Sequence, residues 1–155
     1  MKSSRLKPLI FLAIPLAVGG LAALFSAGSM DKFSALNQPP SPPGWLFPIV
    51  WGILYILMGT ASYIVYSSDA PEISKQKALG LYIVQLGFNF LWPILFFTFG
   101  LCTAAAVLIV ILWVLILLTL LYFYRISKTA GYLIIPYLLW VTFAAYLNIA
   151  ICIIN

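Results

Sequence analysis

The chain has 155 residues, of which 65% are apolar and only 7% are charged. A soluble domain carries about 25% charged residues, so there is too little polar surface here to clothe a water-soluble globule. The soluble, disordered and nucleic-acid-binding classes are therefore excluded.

A helix needs roughly 20 apolar residues to cross a hydrocarbon core. Five stretches reach that length, near residues 8–27, 43–66, 78–97, 101–124 and 130–154. They predict one domain over residues 1–155, an all-α integral membrane bundle of five transmembrane helices. The runs lack the in/out alternation of a membrane barrel.

Lys2, Arg5 and Lys7 precede the first span. A signal peptide is the competing reading of this stretch. Against it, the apolar run exceeds the usual length of about 7–15 residues, and no A-x-A site closes it. Gly19, Ala23 and Ala27 form a row of small residues suited to close helix packing, within the chain or between chains.

The first loop, 28–44, reads GSMDKFSALNQPPSPPG and holds Pro39, Pro40, Pro42 and Pro43. Proline fixes φ and lacks a donor, so a stiff, extended lid over the bundle is expected, with an inert turn as the alternative. Pro43 suits the first turn of span two. Trp45 reads as an interfacial belt residue.

Span two carries Trp51, Tyr55, Met58 and Ser62. Span three carries Gln85, Asn89, Trp92 and Phe96, and span five carries Pro136, Trp140, Phe143 and Leu147. In each set the gaps are four, three and four residues, which keeps the members on one helical face. Gln85 and Asn89 are poor lipid neighbours, so the span-three stripe should point inward. Counted from the outer ends, the aromatic and amide groups, Asn148 included, gather in the outer half beneath the lid, with Trp140 deeper, near the middle. Aromatic walls with a few polar groups suit a flat hydrophobic ligand. The bland alternative is that Asn and Gln only glue helices together. Trp113, in the middle of span four, reads as lipid-facing or packing. Cys102 and Cys152 should both lie near the outer face. A disulfide is geometrically allowed there, but buried apolar thiols are the expected state.

Seven of the eight basic residues fall in the N-terminal tail and the second and fourth loops, which share one side of the bundle; Lys32 alone falls on the other. The positive-inside rule then places the N-terminus in the cytoplasm, and the first loop and C-terminus outside. Histidine is absent, and no carboxylate lies within a span. The commonest metal ligand and the usual neutral-pH general base are thus missing. No catalytic residue, metal site or required cofactor is indicated.

Three segments carry a resemblance: PPGWLFPIVWGILYILMGTASY at 42–63, QLGFNFLWPILFF at 85–97 and IPYLLWVTFAAYLN at 135–148. Together they resemble the translocator protein family, whose bacterial members are called tryptophan-rich sensory proteins and whose mammalian members are peripheral benzodiazepine receptors. The resemblance covers nearly the whole chain and is of the bacterial type. It implies a five-helix membrane receptor or translocator that binds protoporphyrin IX-like tetrapyrroles and isoquinoline- or benzodiazepine-type drugs beneath the first loop. Trp51, Trp140, Asn89 and Trp92 match pocket positions of the family; with Tyr55, Gln85, Phe96, Phe143 and Asn148 from the stripes and Pro42 and Pro43 from the lid they make up the candidate ligand-binding set. A homodimer in the cell membrane is the implied assembly, with porphyrin as ligand rather than cofactor. Some bacterial members are reported to degrade porphyrin in light through two tryptophans matching Trp51 and Trp140. That enzymatic activity is one alternative function, and a ligand-free structural subunit is another. The chain departs from the family where the loop reads QPPSPP without a tryptophan, where residues 104–112 lack an aspartate, and where no basic residue follows Tyr146. The last departure argues against cholesterol as a ligand.

Overall fold

The computed structural model describes residues 2–26 and 46–154. The proline-rich lid, with Pro42, Pro43 and Trp45, lies outside the described residues, as does Ala27. Among the described residues, five helices are long and apolar enough to cross a membrane. They are α1 (Lys2–Ser26), α2 (Leu46–Ser67), α3 (Glu72–Pro93), α4 (Cys102–Ile126) and α5 (Lys128–Ile154). No strand occurs among the described residues, so the fold is an all-α five-helix membrane bundle. A helix satisfies its own backbone groups, which hydrocarbon cannot do. Round the bundle, neighbours run α1, α2, α5, α4, α3 and back to α1.

Helices α3 and α5 begin earlier than their apolar runs. Pro71 stands at the N-terminal cap of α3 and Glu72 in its first turn, where a missing N–H and a negative charge both suit the helix end. Lys75 and Lys77 are therefore helical rather than loop residues. Ser127 alone separates α4 from α5; its N–H donates to Phe123 O at 2.7 Å. This hairpin packs tightly at Gly131, where a Cβ would lie 2.6 Å from Tyr124 Cβ.

Pro93 ends α3, and a π-helical turn follows over Ile94–Thr98. The Phe99 N–H donates to Ile94 O at 3.1 Å and the Leu101 N–H to Leu95 O at 3.0 Å. Gly100, at φ 63°, makes the reversal into α4, a backbone state that glycine adopts without strain. The Thr98 hydroxyl donates to Phe25 O at 3.0 Å, tying the end of α1 to this turn.

Of the small-residue row of α1, Gly19 is used within the chain. Gly19 lies directly against the Tyr55 ring, with no room for a Cβ. Ala22 is buried, while Ala23 is exposed. Trp113 packs at the α4–α5 seam and donates from Nε1 to Thr142 Oγ1 at 2.8 Å. The cysteines correct the expectation of free thiols: Cys102 and Cys152 form a disulfide, with Cα atoms 5.7 Å apart. The start of α4 and the end of α5 are neighbours across the seam, which brings the two Cα atoms into the bonding range of about 4.4–6.8 Å.

Candidate functional site

A buried polar ladder crosses the centre of the bundle from α2 through α3 to α5. The Tyr55 hydroxyl donates to Asn89 Oδ1 at 2.6 Å. Asn89 Nδ2 donates to the Tyr137 oxygen at 2.7 Å, and the Tyr137 hydroxyl donates to Gln85 Oε1 at 2.6 Å. All four side chains are buried, so the amides face the bundle interior rather than lipid. Gln85 Nε2 is buried with no hydrogen-bond partner among the described residues. Asn89 already uses a donor and an acceptor on the two tyrosines.

Aromatic rings cover the ladder. Trp51 stacks on Tyr55 with centroids 5.6 Å apart, and it meets Tyr137 edge-on at 6.2 Å. Trp51 and Trp140 meet at 6.5 Å with planes at 88°. Trp140 also packs on Phe143 at 5.5 Å. Both tryptophans are only partly buried, in contrast to the ladder beneath them. Edge-to-face pairs of this kind suit the ring quadrupoles.

A second group lies at the end of the bundle that carries the disulfide. Trp92 Nε1 donates to Asn148 Oδ1 at 2.9 Å, and Trp92 stacks on Phe96 at 5.4 Å with planes 10° apart. Trp92, Phe96 and Asn148 are all buried. Two open cavities lie at the opposite, basic end. One is lined by Tyr66, Glu72, Lys75, Gln76 and Leu79, the other by residues including Lys77 and Arg125. Neither touches the aromatic cluster.

The structure thus brings Trp51, Tyr55, Gln85, Asn89, Trp140 and Phe143 into one cluster, and Trp92, Phe96 and Asn148 into a neighbouring group. Pro136 does not share the inward face of α5; it is exposed. The inward face is instead Tyr137, Val141, Ala144, Asn148 and Ile151, all buried. These five also repeat at gaps of four, three, four and three. Counting back from Asn148, the polar residue least suited to lipid, would have found Tyr137. A register set by the tryptophans misses this residue, which joins both amides.

The sequence profile of the TspO/MBR family matches residues 11–154. A tryptophan-rich protein TspO of Chlorobaculum tepidum is 41% identical over 142 residues, covering 90% of this chain and 90% of its own. The translocator protein of Bos taurus is 34% identical over 142 residues, covering 89% of this chain and 83% of its own. The chain belongs to the TspO/MBR family. A tryptophan-rich protein TspO of Archaeoglobus fulgidus is also similar, at 40% identity over 142 residues, with 90% and 91% of the two chains covered. Family membership and the five apolar helices make it a multi-pass membrane protein with a translocator or sensory role. Among the described residues of this TspO/MBR member, the inward faces of α2, α3 and α5 converge at the polar ladder and its aromatic cover.

Proposed function

We propose that the chain is a membrane receptor or translocator for tetrapyrroles of the protoporphyrin IX kind. In this reading drug-like isoquinolines and benzodiazepines compete for the same site. The carrying observation is the contact of Trp51 with Trp140 over a buried hydrogen-bonded ladder. A planar macrocycle enters by parting these two partly exposed rings and stacks on their faces. Gln85 Nε2 is a donor available to a ligand acceptor. The same reading sets the protein in the cell membrane with the N-terminus inside, the lid and C-terminus outside, and a homodimer as the assembly. It needs no resident cofactor.

Titration with protoporphyrin IX is expected to quench tryptophan emission saturably. The Trp51→Phe, Trp140→Phe double variant should bind at least roughly tenfold more weakly, the loss of about 1.4 kcal/mol of stacking. Saturable quenching unchanged in that variant would remove these residues from the site.

The same contact supports a second reading, light- and oxygen-dependent porphyrin breakdown with the tryptophan pair as redox partner. Illuminated protein should then bleach the porphyrin band faster than detergent alone does, and the double variant should not. Equal bleaching in detergent would end this reading.

A further inference from the structure

At the end of the bundle away from the basic loops, three elements meet at one side-chain amide. Cys102 opens α4 and Cys152 lies near the end of α5, and the two are disulfide-bonded. Asn148, one turn before Cys152, is fully buried. Its Nδ2 donates to Cys102 O at 3.2 Å and lies 3.4 Å from Cys152 Sγ. Its Oδ1 accepts from Trp92 Nε1 at 2.9 Å. A side-chain amide has one accepting end and one donating end. The cross-linked pair occupies the donating end, so the accepting end is turned to Trp92. The indole is held in turn in its stack on Phe96. Both cysteines are only partly buried, so a reagent reaches them from the end of the bundle.

We propose that Cys102–Cys152 is a thiol–disulfide control site, and that Asn148 relays its state to Trp92. Reduction needs a dithiol donor. One thiolate of the donor attacks a sulfur of the cross-link, giving a mixed disulfide, and its second thiol displaces the remaining sulfur. Two electrons and two protons pass to Cys102 and Cys152, and the donor leaves as a disulfide. The oxidised pair offers Asn148 no hydrogen to accept. The reduced pair carries two S–H groups, of which Cys102 Sγ lies 3.7 Å from the Asn148 backbone carbonyl oxygen, and the sulfurs move apart to non-bonded contact and away from Nδ2. With the sulfurs no longer fixed at the donating end, the amide loses the contacts that set its orientation, and the Trp92 hydrogen bond weakens. The distribution of basic residues puts this end outside the cytoplasm, in the compartment where disulfides persist. The relay to Trp92 stands on this geometry alone. Its consequence for ligand affinity rests on the tetrapyrrole reading.

The test compares the full chain in detergent, oxidised and after dithiothreitol. Maleimide labelling followed by mass measurement should count no free thiol before reduction and two after. Tryptophan emission should shift on reduction in the wild type and stay unchanged in Trp92→Phe. The Cys102→Ser, Cys152→Ser double variant should resemble the reduced protein and ignore the reductant. Protoporphyrin IX affinity should fall roughly three- to tenfold on reduction, about the loss of one hydrogen bond. Two thiols labelled without reductant, or unchanged wild-type emission after verified reduction, would overturn the control site. Equal porphyrin affinity in both states would overturn its effect on the ligand. Porphyrin binding to neither state, with the Trp92 response intact, would end the ligand reading and leave the control site standing.

Discussion

Replacing Gly59 with leucine is expected to separate α1 from α2 and destabilise the bundle by about 3 kcal/mol, the upper end of overpacking costs. A Cβ there would lie 2.7 Å from the Phe11 carbonyl oxygen and 2.9 Å from Leu12 Cα. The obstacle is mostly backbone, so no rotamer change relieves it. Lipid offers helices no hydrophobic drive to associate, so their contact depends on such close backbone approach. Loss of the contact should also reach the site, because Gly19 of the same helix lies against the Tyr55 ring, and Tyr55 begins the ladder. Gly52→Leu is the matched control, since nothing lies within 4 Å of its added Cβ. Denaturation midpoints in detergent should fall for the first variant and stay within about 0.5 kcal/mol for the second. Equal midpoints would show that α1 does not dock as described.

The second large effect is expected at Asn89. Asn89→Leu leaves the Tyr55 hydroxyl without its acceptor and takes a donor from Tyr137. A stranded buried hydroxyl costs about 1–3 kcal/mol, although single interhelical hydrogen bonds in membranes average about 0.6 kcal/mol. A loss of about 1–3 kcal/mol is therefore expected. Adding Tyr55→Phe removes the stranded group and should recover much of the loss, because deleting both partners is cheaper than deleting one. Additive losses in the double variant would contradict a ladder in which these groups depend on each other.

Much of this architecture was legible in the chain because membrane helices announce themselves by length and apolarity. The inward faces of α2 and α3 were legible too: Tyr55, Met58 and Ser62 are buried, as are Gln85, Asn89, Trp92 and Phe96. Polar side chains that hydrocarbon cannot satisfy fixed the register of α3. In α5 the largest aromatics were read as the register, and Pro136 was wrongly turned inward. Trp140 and Phe143 flank the inward face rather than define it, since large rings pack well at its border. The early start of α3 was hidden because Lys75 and Lys77 look like loop residues, whereas a helix carries its charges into the interface. The disulfide was not decided by spacing; two cysteines 50 residues apart meet only once the α4–α5 hairpin is closed.

The central claim is that the cluster built on Trp51, Trp140 and the ladder is where a tetrapyrrole binds. The most direct measurement is a structure of the protein with protoporphyrin IX bound. The account predicts the macrocycle between the Trp51 and Trp140 indoles, above Tyr55 and Tyr137. A macrocycle held instead on the outer, lipid-facing surface, beside Tyr146 or Trp113, would contradict it.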